Sequence, residues 1–149
     1  MDNSLPFERL SDNHVFLPFD CGDEDINDFL LTQAVHYQKE LLAVTYLLED
    51  GENTVFYFTL SNDKVTALEL SKGFWRKIKS LFPHSKHRRD YPAVKIGRLG
   101  VNKLYQHTGD KWGTKIIGFI KNWMSLYHSG CLLYCCAFLF EERIYVYGF

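Results

Sequence analysis

A change of hydrophobic period between Ala93 and Tyr127 constrains this chain more than any other feature. Ala93–Val101 (AVKIGRLGV) reads as a strand, a short apolar-rich run bounded by turn signals. A loop bearing two glycines follows, Tyr105–Gly113. Beyond it Ile116, Ile117, Ile120, Trp123, Met124 and Tyr127 recur at helical spacing and make one apolar face. Ser129-Gly130 ends that helix, and Cys131–Phe140 is an apolar strand candidate. Strand, loop, helix and strand in this order call for a sheet with a helix packed on it.

The upstream half adds the rest of that layer. Phe7–Phe19 reads as extended, with a turn around Ser11–His14. Asp20–Asp25 (DCGDED) is turn-like and acidic, which suits a helix N-terminus. Ile26, Phe29, Leu30, Ala34, Tyr37 and Leu41 then predict an amphipathic helix over Glu24–Leu42. Val44–Leu48 and Thr54–Leu60 read as two strands joined by a hairpin turn at Asp50–Asn53 (DGEN). Ser61–Asp63 suits the cap of a short helix running to Leu70. Lys72–Asp90 is helical or irregular and broken at Pro83, and Tyr91-Pro92 marks a boundary. The whole is an α/β or α+β arrangement around a mixed sheet, in one domain spanning 1–149.

Composition narrows the function. With 149 residues, a net charge of −1 and 16% aromatics, the chain can fill one core and has no global charge for nucleic acid. No apolar run approaches the ~20 residues of a membrane helix, so no membrane role is expected. The N-terminus MDNSLPFERL lacks a signal-peptide pattern, which points to a reducing, cytoplasmic compartment. Cys21, Cys131, Cys135 and Cys136 have no paired metal-ligand spacing, and the last three read as small core hydrophobes. Asp20, Asp23, Glu24, Asp25 and Asp28 lack EF-hand spacing, and the histidines show no H-x-x-x-H pair, so no metal is expected.

The glycine loop carries the chemistry. A strand running through such a loop into a helix presents unsatisfied N–H groups and the positive end of a helix dipole, which suits a pyrophosphate. Gly109 and Gly113 allow close backbone approach, Thr108 and Thr114 add hydroxyls, and His107, Lys111 and Lys115 add polar or positive character. The pattern is neither a P-loop nor a G-x-G-x-x-G fingerprint.

The segment Ile96-Gly97-Arg98-Leu99-Gly100-Val101, then Tyr105-Gln106, glycines and a helix, resembles the acetyl-CoA motif of the GNAT superfamily of N-acyltransferases. Phe19-Asp20-Cys21-Gly22, Thr45-Tyr46, Tyr57-Phe58-Thr59-Leu60-Ser61 and Pro92-Ala93 resemble the branch holding toxin-like acetyltransferases of bacterial toxin–antitoxin pairs. The similarity covers most of Leu5–Met124. It implies a mixed, mostly antiparallel sheet flanked by helices, acetyl-CoA as co-substrate within Lys95–Lys121, and transfer of an acetyl group to a primary amine of a small molecule, protein or aminoacyl-tRNA. By the same resemblance Leu99, Gly100, Val101, Gln106, His107, Thr108, Gly109, Lys111, Gly113 and Thr114 bind the cofactor.

Two departures from the family pattern accompany it. Gly109 and Gly113 stand four apart where the family's glycines stand two apart, so the loop is enlarged. The family's C-terminal hairpin is expected to be missing, and the tyrosine that returns a proton to the thiolate falls nearest Tyr145. A degenerate, non-catalytic binding or dimerisation module is the alternative these departures raise, with a homodimer covering the bared sheet edge. The basic run Lys72–Arg89, interleaved with Phe74 and Trp75, is a candidate tRNA contact or a solvated face.

Overall fold

The computed structural model describes residues 6–68, 71–73, 75–76, 90–127 and 133–136. Among the described residues five strands form one sheet in sequence order: β1 (Glu8–Arg9), β2 (Val44–Glu49), β3 (Thr54–Thr66), β4 (Asp90–Val101) and β5 (Leu133–Cys136). The first three pairings are antiparallel and β4–β5 is parallel. This is the mixed, mostly antiparallel sheet expected. The expected C-terminal departure lies outside the described residues, as does most of Lys72–Arg89.

Helices cover both faces. One side carries α1 (Glu24–Asp28), a π-helical turn (Phe29–Gln33) and α2 (Ala34–Lys39) in continuous succession. Asp23 caps α1 by accepting from the Ile26 N–H, and Glu24 and Asp25 occupy its first turn, as the acidic run predicts. Phe29, Leu30 and Ala34 pack there with Leu10, Phe19, Leu47 and Tyr57. The other side carries α3 (Trp112–Tyr127), whose Ile116, Ile120 and Met124 pack on Leu48, Phe56, Phe58, Leu60 and Ile96. Alternation along β3 explains the division. Phe56 and Phe58 face α3 while Tyr57 faces α1 and α2.

Three expectations change. The polar Ser61–Asp63 does not cap a helix, because β3 runs on to Thr66 and pairs as far as Asp90. Tyr91-Pro92 is no boundary and lies inside β4. A proline is tolerated in a strand where the ladder does not need its nitrogen, and Pro92 stands one residue before β5 pairing begins at Ala93. The helix predicted as one run to Leu42 contains a π turn and stops at Lys39, with Leu41 at φ 58°.

Candidate functional site

The site begins with an irregularity in β4. Phe58 pairs with Leu99 and Leu60 with Ile96, so Gly97 and Arg98 together oppose the single residue Thr59. This is a β-bulge. The buried Thr59 hydroxyl accepts from the Arg98 N–H at 2.8 Å. A side chain at position 97 would place its Cβ 2.9 Å from that oxygen, so any other residue there would force Thr59 or the bulge to shift. The extra residue reverses the alternation. Val94 and Ile96 before it, and Leu99 and Val101 after it, all pack toward α3.

Pairing with β5 covers Ala93–Ile96 and ends at the bulge. From Gly97 to Val101, β4 is paired on its β3 side alone among the described residues. The direction of its groups follows from two hydrogen bonds. The Asn102 N–H donates to Val55 O on β3 at 2.9 Å. The Val101 carbonyl instead accepts from Gln106 Nε2 at 2.6 Å. By alternation the N–H groups of Leu99 and Val101 point away from β3, along the edge that no described residue pairs. Gly100 faces the other way in both senses. A Cβ there would come within 2.9 Å of Ile26 Cγ2 and Phe19 Cζ, so its absent side chain lets α1 pack closely on the sheet.

The loop leaves β4 through Asn102, which sequence reading passed over. Its buried side chain donates to Thr54 O at 3.0 Å and accepts from the Leu104 N–H at 3.1 Å, capping the 3-10 turn Lys103–Tyr105. Gln106 ties the loop back by donating to both Val101 O and Cys21 O. The Tyr105 hydroxyl donates to Asp50 of the β2–β3 turn. Lys103 pairs with Asp20 at 2.9 Å. The Asp20 carboxyl is held down to about 2 by hydrogen bonds from Lys103 first, then Asn27 and the Gly22 N–H.

Beyond Gln106 the backbone takes left-handed conformations at every second residue: His107 (φ 58°), Gly109 (φ 83°) and Lys111 (φ 47°). Left-handed residues interspersed in a turn are one way a loop aims its N–H groups at an anion. His107, Thr108, Gly109 and Lys111 are all exposed. The N–H groups of Trp112, Gly113 and Thr114 follow directly, ahead of the first helical bond, Lys115 N–H to Lys111 O at 3.1 Å. Gly113 and Thr114 therefore belong to the first turn of α3 and not to the loop. Open space surrounds the Cβ positions of Gly109 and Gly113.

Local charge is mixed. Lys115 pairs with Asp110 at 3.0 Å and lies 5.5 Å from the Trp112 ring centre. The Thr108 hydroxyl already donates to Tyr105 O at 3.2 Å, which leaves its lone pairs rather than its proton for a ligand. Tyr57 is buried with its hydroxyl donating to Ile26 O at 2.7 Å. Burial pushes that phenol well up, and it stays neutral. Burial also raises the Cys21 thiol, which does not favour a thiolate nucleophile.

The arrangement gathers seven of the sequence-selected residues, Leu99, Val101, Gln106, His107, Thr108, Gly109 and Lys111, along one edge and its adjoining loop, with Thr114 beside them in the first turn of α3. Gly113 joins them through its N–H, and Gly100 serves packing. Tyr145 lies outside the described residues. Among the described residues no group of three or more His, Cys, Asp or Glu could hold a metal ion, and no helix is long and apolar enough to cross a membrane.

No family model and no curated protein matches the chain. Solved structures do. AtaT complexed with acetyl-methionyl-tRNAfMet superposes with a TM-score of 0.71 at 21% identity, over 95% of this chain and 93% of that one. AtaTR bound with acetyl-CoA gives 0.66 at 24% identity, over 91% and 78%. A tyrosine-to-phenylalanine mutant of KacT gives 0.67 at 24%, over 91% and 79%. The chain shares its fold with these proteins, and it is the fold that the GNAT resemblance implies.

Proposed function

We propose that this chain is an N-acetyltransferase that moves an acetyl group from acetyl-CoA to a primary amine, and that the amine is the α-amino group of an aminoacyl-tRNA. The observation that carries the reading is the half-paired edge of β4 running into a loop of alternating left-handed residues. An extended pantetheine arm can hydrogen-bond to Leu99 and Val101 as a further strand would. Its pyrophosphate then meets the N–H groups from His107 to Thr114 and the N-terminus of α3. AtaT, similar in fold, is known in complex with an acetylated aminoacyl-tRNA and with an antitoxin. That likeness supports the choice of acceptor.

An arm laid along this edge from the loop passes Val101, then Leu99, and brings its thioester to the bulge. There the neutral amine attacks the thioester carbonyl. A backbone N–H of the open edge polarises that carbonyl oxygen as charge develops on it. The nitrogen–carbon bond forms, the carbon–sulfur bond breaks, and the proton shed by the amine ends on the thiolate sulfur. Tyr145 is proposed as the group that relays that proton.

Calorimetric titration with acetyl-CoA tests the cofactor site. The reading expects one site with a dissociation constant of about micromolar order. No heat at about millimolar acetyl-CoA would overturn it. Transfer of label from acetyl-CoA to methionyl-tRNA, against none to methionine, tests the acceptor.

A further inference from the structure

One side chain at the bulge faces away from the proposed cofactor arm. Leu99 and Val101 pack on the α3 side. The Arg98 guanidinium instead lies over the Phe29 ring, 3.9 Å from its centre, and 5.8 Å from that of Tyr37, on the α1 and α2 side. It is half-buried. Among the described residues no carboxylate reaches it, although Lys64, Lys103 and Lys115 each have an acidic partner. Its backbone N–H is fixed on Thr59, so the side chain springs from a rigid point.

The surroundings are polar where the rest of this core is apolar. Thr59 is buried and pairs across the sheet with Thr45, also buried, whose hydroxyl has no hydrogen-bond partner among the described residues. Thr45, Thr59 and Arg98 therefore stand in adjacent strands on one sheet face, beside an exposed Gly97. An orphaned buried hydroxyl and an uncompensated guanidinium both cost stability that an apolar pair would not. The Phe29 ring beneath the guanidinium holds it in place, and among the described residues no acid satisfies its N–H donors.

We infer that Arg98 is the acceptor's anchor: its guanidinium takes an oxyanion of the acceptor molecule and holds the amine at the bulge from the face opposite the cofactor. The inference rests on the acetyl-transfer reading. A planar fork suits the two oxygens of a phosphate or a carboxylate. In an aminoacyl-tRNA the amino acid's carboxylate is esterified, so the oxyanion there is a backbone phosphate near the charged end. In a small amino acid it would be the carboxylate.

Steady-state kinetics on the whole chain separate these cases. The acceptors are the methionyl ester of adenosine with and without its phosphate, and methionine against methionine amide. The wild type should prefer the phosphorylated ester to the unphosphorylated one by about tenfold or more in kcat/KM. A preference for methionine over its amide instead would assign the carboxylate and also support the anchor. Arg98→Gln should raise the KM for the preferred acceptor by about tenfold, leave kcat within about threefold and abolish the preference. Arg98→Lys should restore part of it, since charge returns without the fork. Acetyl-CoA titration of each variant should match the wild type.

Absence of any preference in the wild type overturns the inference without reference to a variant. So does a preference that survives in Arg98→Gln, or a fall in kcat alone. If the wild type binds no acetyl-CoA, the acetyl-transfer reading falls and the anchor with it. If it binds acetyl-CoA and ignores the oxyanion, only the anchor falls.

Discussion

The two halves of β4 share a backbone and differ in what surrounds it. From Ala93 to Ile96 the strand is paired on both sides, with β3 and β5. Ala93 and Ile96 are buried, and this half serves the core. From Gly97 to Val101 it keeps β3 and loses the second partner among the described residues. One extra residue opposite Thr59 separates the two. A strand fully enclosed by its neighbours has no groups left to offer a ligand, whereas a half-enclosed one presents a row of them. The bulge thus separates an enclosed half from one whose outward N–H groups meet no strand partner among the described residues.

Substitutions on either side of the bulge should separate stability from binding. Ile96→Ala, in the enclosed half, should lower unfolding free energy by about 2–5 kcal/mol in urea titration, and acetyl-CoA affinity of the folded protein should hold within about twofold. Unchanged stability would place the core elsewhere. Gly97→Ala forces a methyl against Thr59 Oγ1 and should cost about 1–3 kcal/mol. Adding Thr59→Ala removes the collision, so the double mutant should lose less than the two singles summed. Strict additivity would contradict the bulge.

Gly109→Ala meets open space and only the left-handed backbone opposes it, at about 1–2 kcal/mol. Its larger effect should fall on acetyl-CoA affinity, weakened by about tenfold through loop strain. Loss of stability with full affinity would detach the loop from binding. The smallest effect concerns Asp20, which ties the region before α1 to Lys103. Its carboxyl sits at about 2 in the folded chain against an ordinary 3.8. A depressed folded value means the ionised form favours folding. That contribution is complete above about pH 4 and is lost as pH falls through 2. Asp20→Asn should flatten the acid limb of the stability curve over that window, and only slightly, since the pair is exposed.

Much of the layer order was legible because local periodicity wrote it. The hairpin at Asp50–Asn53, the acidic start of α1 and the apolar face of α3 all follow from neighbours in sequence. The misreadings share a cause. Ser61–Asp63 is polar and Tyr91-Pro92 ends in proline, yet both lie in the paired extension of β3 and β4, where cross-strand partners outweigh local signals. The glycine loop was visible in Gly109, but its second glycine belongs to the helix. The bulge was not legible, since a register exists only between two strands. Its one trace was that the apolar positions of AVKIGRLGV change parity, even at Val94 and Ile96 and odd at Leu99 and Val101. Arg98 stood in the quoted motif without a role for the same reason, because its face is set by that change.

Amide hydrogen exchange along β4, with and without coenzyme A, tests the central claim most directly. The Leu99 and Val101 amides should exchange more slowly when coenzyme A is present, while those of Val94 and Ile96 should not change. Protection of all four alike, or of none while coenzyme A binds, would contradict the open edge as the site of the cofactor arm.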